Sequence, residues 1–160
     1  MTLFADTNWL VAAYFQENDQ DRFKIVERFA RRQSLPWVTS HIVLLEACNV
    51  FAWVSREANS PEWRRLEADL GRRIHVDAMQ WDRVRRRTIE LFDRYSHKAQ
   101  IGTFDTALVA SALLTGATHF LTFDSKLKAL AAAERLKVFP ELTEADKTTL
   151  AKMRSRGDSS

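Results

Sequence analysis

An α/β fold, with a parallel sheet covered by helices on both faces, is predicted for this chain on three observations. Short apolar runs alternate along the sequence with longer segments of helical period. The stretch Ile101 to Lys126, IGTFDTALVASALLTGATHFLTFDSK, sets a helix, a turn and an apolar strand in the order of half a βαβ unit. Single aspartates then stand just past two of the predicted strands, where open parallel sheets place their ligands. With 160 residues, 46% of them hydrophobic, the chain suits one domain with a substantial core.

The elements follow in order. Thr2-Leu3-Phe4-Ala5 is a first strand that ends on Asp6, and Thr7 or Asn8 is suited to cap a helix from Trp9 to Phe15. A second helix runs through Phe23, Val26, Phe29 and Ala30, with Arg31 and Arg32 at its carboxyl end. Pro36 to Thr39 reads as the second strand. Thr39 or Ser40 then caps the long helix HIVLLEACNVFAWVSREA. Ser60 and Pro61 open a further short helix as N-cap and first turn.

Ile74-His75-Val76 is a weak strand, and Trp81, Val84, Thr88, Leu91 and Tyr95 trace an amphipathic helix with Arg83, Arg86 and Arg87 opposite. Thr103 is suited to cap the next helix, whose stripe Asp105, Leu108, Val109, Ala112 and Leu113 turns Asp105 inward. His119 to Phe123 is the fourth strand, with Asp124 just beyond it. Leu127 to Glu134 is helical, and Leu136 to Phe139 is the last strand. Residues 1–140 form the predicted domain. Residues 141–160 read as a C-terminal extension, partly disordered, with a mobile tail from Arg154.

Composition excludes several classes. No run reaches the apolar length of a membrane span, and Asp6 comes too early for a secretory signal. Cys48 is the only cysteine, which removes an internal disulfide and any multi-cysteine zinc site, and it reads as a small core residue. A reducing, cytoplasmic setting fits. A formal charge of +3 and a pI near 9.2 permit an anionic partner without naming one. The four histidines are dispersed and lack a serine or cysteine nucleophile context. The five tryptophans suit core packing, with Trp9 and Trp53 the two that could reach a dimer face.

Four acids carry the chemistry. Taken singly, each has an ordinary explanation: Asp124 as a helix cap, Asp105 in a first turn, Asp6 starting a turn, and Glu46 paired with an arginine. Taken together they converge, because Asp6 and Asp124 end strands while Glu46 and Asp105 take inward positions on helices packed against them. Two like charges ~4 Å apart at an effective dielectric of ~20 repel by about 4 kcal/mol. Several such pairs would approach the ~5–15 kcal/mol that holds a whole domain together. Converging carboxylates therefore need a cation or must hold protons. Oxygen donors without histidine or cysteine select magnesium or manganese, and such a site suits phosphodiester hydrolysis.

DTN at Asp6 to Asn8, LLEACNV around Glu46, TFDTALVASAL with Asp105 and LTFDSKL with Asp124 together resemble the PIN-domain family over roughly Met1 to Pro140. Within that family the size is similar to the toxin ribonucleases of VapBC-type toxin–antitoxin pairs. The resemblance implies a three-layer α/β/α fold around a parallel sheet of four or five short strands. It also implies one or two Mg²⁺ or Mn²⁺ ions and endonucleolytic cleavage of RNA. Carried over by position, Asp6, Glu46, Asp105 and Asp124 are the metal-binding quartet. Thr122 matches a hydroxyl that holds a water or phosphate, and Asn8 matches a residue that orients Asp6, although either also suits an ordinary capping role. A small antitoxin and a homodimer are further implications.

Arginine doublets and a triplet among Arg64, Arg65, Arg72, Arg73, Arg83, Arg85, Arg86 and Arg87 read mainly as solvated helix faces. Lys126 and Lys128, beside Asp124, are the better substrate contacts. The competing functions are a PIN nuclease of RNA processing, a non-catalytic RNA- or protein-binding module, and a phosphotransferase of the haloacid-dehalogenase type. The last wants a second aspartate where Asn8 stands.

Overall fold

The computed structural model describes residues 1–155. Five strands, β1 (Leu3–Ala5), β2 (Trp37–Ser40), β3 (Ile74–Asp77), β4 (His119–Leu121) and β5 (Lys137–Phe139), form one sheet in the order β3-β2-β1-β4-β5. Every pairing is parallel, with Leu3 opposite both Trp37 and His119. From β1 the chain moves outward to β2 and β3, then returns to β4 on the other side. The switch point therefore lies between β1 and β4, where a crevice opens beyond the strand carboxyl ends.

The helices are α1 (Thr7–Tyr14), α2 (Gln20–Arg32), α3 (His41–Ser55), α4 (Pro61–Asp69), α5 (Trp81–Tyr95), α6 (Thr103–Leu114), α7 (Ser125–Ala133) and α8 (Glu144–Arg154). They cover the sheet on both faces, the three-layer arrangement the sequence predicts. Among the described residues no helix is long and apolar enough to cross a membrane.

The central strands are apolar because both faces are covered: Leu3, Phe4, Ala5, Phe120 and Leu121 are fully buried, and Phe4 stacks on Phe120 at 5.5 Å. Trp9 does not reach a surface. It is fully buried among Phe29, Trp37, Phe123 and Phe139, which withdraws it from any dimer face. Trp53, by contrast, is 85% exposed on α3. Cys48 is half-exposed near the Ala58 carbonyl and not part of the core.

Local capping explains where several elements begin. Ser40 accepts from the Val43 amide, Ser60 from Trp63, and Asp124 from Leu127. Two expected caps are different. Gly102 holds the N-cap position of α6, so Thr103 is the first helical residue. Asp6 holds that position for α1 without capping it, because its carboxylate and the side chains of Thr7 and Asn8 bond elsewhere.

The stretch after Pro140 is folded as far as the description reaches. Thr143 and Asp146 form a capping box at the start of α8, and Leu150 and Met153 are buried. Arg154 ends that helix, and the rest of the expected mobile tail, residues 156–160, lies outside the described residues.

Candidate active site

Beyond the carboxyl ends of β1 and β4 lies a cleft of about 460 Å³. Asp6, Glu46, Asp105 and Asp124 all line it, together with Thr7, Asn8, Asn18, Asp19, Arg22 and Asn49. Acids that stand 118 residues apart in sequence, from Asp6 to Asp124, share one wall of solvent.

Asp6 is almost fully buried, directly after β1. Thr122 Oγ1 donates to its Oδ2 at 2.8 Å, and the same hydroxyl accepts from the Asp124 amide at 3.0 Å. Burial pushes the Asp6 carboxyl up to about 7, although the Thr122 hydroxyl and the Thr7 backbone pull it down. The charges of Asp105 and Glu46 raise it further.

Asp105, in the first turn of α6, is half-buried and also raised, by burial first and then by Asp124 and Glu46, while Lys126 lowers it. Gly102 leaves it space: a Cβ there would stand 3.3 Å from Asp105 Oδ2. Glu46 projects from the middle of α3, and Thr7 Oγ1 donates to its Oε2. Among the described residues no lysine, arginine or histidine stands within 4.0 Å of these four carboxylates. The arginine partner that would have explained Glu46 as structural is not found among the described residues.

The expected cage is present as a shared cleft and not as a formed coordination shell. Among the described residues no three acidic, histidine or cysteine side chains stand close enough to close on one ion. Protein donors account for part of that spread, since Thr7 holds Glu46 and the start of α7 holds Asp124. The donor chemistry still fits a hard divalent cation: carboxylates only, mutually destabilised and unpaired.

Three sequence expectations change. Thr122 is fully buried and spends its proton on Asp6, so it positions that acid and does not hold substrate. Lys128 is 5% exposed, with its ammonium 3.5 Å from the buried Asp146 of α8, and it does not line the cleft. Its place one turn past Asp124 puts it under α8 instead. Asn8 reaches Asp6 only through others: its Oδ1 accepts from the Phe123 amide at 2.9 Å and lies 3.3 Å from Thr122 Oγ1. Lys126 stays exposed at the rim, bound to the Gln100 carbonyl at 3.0 Å.

Much of the arginine has local work. Arg64 and Arg65 bond the Asn59 and Tyr14 carbonyls, Arg72 that of Ala68, and Arg87 bridges Glu90 and Glu134. Sequence reasoning missed Thr7, Asn18, Arg22 and Asn49. Thr7 and Asn49 carried a signal, as the middle letter of DTN and within LLEACNV, and the other two did not.

Comparison with curated proteins returns no match. Among solved structures, that of Mycobacterium tuberculosis VapC20, a sarcin–ricin loop cleaving toxin, superposes with a TM-score of 0.63. Identity is 18%, over 80% of this chain and 94% of VapC20, a likeness of fold. The PIN domain family model matches residues 3–133, a span that contains all four acids. With most of its length inside that match, the chain belongs to the PIN-domain family.

Proposed function

We propose that this chain is a divalent-metal-dependent endoribonuclease, the toxin of a type II toxin–antitoxin pair. The observation that carries this reading is the set of four unpaired carboxylates lining one cleft at the sheet's switch point. Asp6, Glu46, Asp105 and Asp124 would hold Mg²⁺ or Mn²⁺, one ion or two. A bound ion there supplies charge to polarise a phosphoryl oxygen and a nucleophile near neutral pH.

The chain's own residues prepare that chemistry. Thr122 keeps Asp6 turned into the cleft, and it favours the charged form against burial. Thr7 fixes Glu46 against α1. Asn8 uses its oxygen on Phe123 and Thr122, so its amide hydrogens remain to meet a phosphate oxygen. Lys126 at the rim offsets charge on Asp105 and is available to the polyanion.

Family membership and a fold shared with VapC20 support the toxin assignment. An antitoxin and a second copy of the chain are the partners of this reading, and the cytoplasm is its setting. Leu45, Trp53 and Val54 are large apolar side chains exposed on α3, and Trp53 above all suits a protein partner.

The test is direct. The purified chain should cleave RNA with Mg²⁺ or Mn²⁺, leave 5′-phosphate ends, and stop with a chelator. Asp6→Asn and Glu46→Gln should be folded and inactive. RNA left intact by the wild type with either ion refutes the proposal.

A further inference from the structure

We propose that Arg22 is the residue through which this cleft grips an RNA phosphate beside the acids, an inference that rests on the nuclease reading above. The cleft presents a problem for a polyanion. Among the described residues its lining holds five carboxylates, Asp6, Asp19, Glu46, Asp105 and Asp124, and a single cationic side chain, Arg22. Lys126 and Lys128 are not part of that lining. Besides the ions that the acids would hold and Lys126 outside the lining, this guanidinium is the positive group placed to draw the RNA backbone down to the acids.

Arg22 is held in a way that leaves its phosphate-binding edge open. It sits in the first turn of α2, where its backbone amide donates to Asp19 Oδ1 at 3.0 Å. Nε stands 3.4 Å from Asp19 Oδ2, and the guanidinium carbon lies 5.0 Å from the centre of the Phe123 ring. Among the described residues neither terminal nitrogen has a hydrogen-bond partner. One edge is thus steadied by a carboxylate and one face by an aromatic ring, while the terminal nitrogens remain for a bidentate phosphate.

The seat is also in register with the acids. Phe123 stacks on the buried Trp9 at 5.4 Å, and its amide is held by Asn8, which contacts the Thr122 hydroxyl bound to Asp6. The distance from Arg22 to Asp6 is therefore set by a chain of fixed groups and not by a loose loop. Asn18 and Asn49 line the same space and add neutral donors. An ordinary surface pair with Asp19, worth little by itself, does not account for the aromatic seat.

The experiment uses Asp6→Asn protein, which on this reading binds without cleaving, and a fluorescent single-stranded RNA oligonucleotide over a series of KCl concentrations. Adding Arg22→Gln should weaken binding about tenfold and reduce the slope of log affinity on log salt by about 0.7, one phosphate's worth on a single strand. Arg22→Lys should keep the slope and lose about threefold in affinity, because the charge remains without the fork. Equal losses on polyuridylate and polyadenylate identify a phosphate contact.

Unchanged affinity and slope with Arg22→Gln overturn the proposal, as does a loss confined to one base. If Arg22→Gln does not fold, Arg22→Lys decides, and unchanged affinity there is fatal. Failure of the nuclease reading looks different: Arg22-dependent binding with no cleavage by the wild type in either metal. Full cleavage by Arg22→Gln in an otherwise wild-type chain removes Arg22 and leaves the nuclease standing.

Discussion

Thr122 Oγ1 stands 2.8 Å from Asp6 Oδ2, and this buried hydrogen bond joins the ends of β4 and β1 across the switch point of the sheet. The same oxygen accepts from the Asp124 amide, so one hydroxyl ties together two of the four acids. A threonine serves here because it both donates and accepts at short range. Its β-branched side chain is also stiff enough to hold the geometry.

Thr122→Val keeps the shape and removes the hydroxyl. Asp6 then loses the bond that does most to offset burial, so its carboxyl rises further above about 7. A hydrogen bond to a charged group is worth about 1.5–3 kcal/mol, so RNA cleavage near pH 7 should fall roughly 10- to 100-fold. The acid limb of the pH–rate profile should move to higher pH, and Thr122→Ser should restore most of the rate. A Val variant with an unshifted profile would show that the strut does not matter.

Asp6 also makes a prediction about stability without metal. Between the ordinary value of 3.8 and about 7 the folded chain holds a proton that the unfolded chain has released. Protons bound only in the folded state mean that stability falls as pH rises through this window, by about 4 kcal/mol over its full span. In chelator, the wild type should therefore melt roughly 10 °C lower at pH 8 than at pH 4–5 on account of this group. Asp6→Asn should flatten that slope and gain stability at pH 8 while losing cleavage. Added Mg²⁺ should stabilise the wild type at pH 8 and leave Asp6→Asn nearly unmoved. Parallel melting curves for the two proteins would defeat the argument.

How far the sequence revealed these relationships depends on how local their causes are. Ser40, Ser60 and Asp124 are legible as caps because a cap bonds an amide three residues on. Thr7 and Asn8 look like caps by the same rule, yet their partners are 39 and 115 residues away, which no local pattern reveals.

The four acids are legible because charge at otherwise apolar positions is costly and must be explained. Lys128 is misread because nearness in sequence to Asp124 suggested the cleft, while α7 turns it beneath α8. β4 ends at Leu121, two residues early, because Asn8 takes the Phe123 amide that a longer strand would have offered its neighbour. Arg22 escaped notice for the same reason, since its meaning depends on Phe123 lying beneath it.

Thr7 and Glu46 should be energetically coupled. Thr7→Val frees the carboxylate of Glu46 from its only side-chain donor among the described residues, and cleavage should fall about tenfold as the acid swings away. Glu46→Gln alone should abolish cleavage, so the cycle is read on stability by denaturant titration. Thr7→Val should cost about 1–2 kcal/mol in the wild type and about 1 kcal/mol less beside Glu46→Gln, where the bond is no longer charge-assisted. Glu46→Gln alone relieves repulsion with Asp6 and Asp105. Strict additivity would mean that the hydroxyl and the carboxylate do not act as a pair.

The buried pair of Lys128 and Asp146 separates anchoring from catalysis. Lys128→Met retains most of the apolar stem but removes the only cation beside the buried Asp146 among the described residues, leaving that carboxylate to the Thr143 amide. Breaking such a pair costs about 3–5 kcal/mol, a large share of a small domain's stability. The loss should fall on α8 first, because Asp146 also closes its capping box with Thr143.

Hydrogen exchange should show α8 and the facing side of α7 losing protection in Lys128→Met, ahead of the central strands. Cleavage per folded molecule, at a temperature where the variant is still native, should be unchanged. A variant as stable as wild type yet poor in RNA affinity would return Lys128 to the substrate face, contrary to its burial. Lys126→Met supplies the contrast. Its ammonium is exposed and offsets the charge of Asp105, so this change should leave melting nearly unaltered while weakening RNA binding.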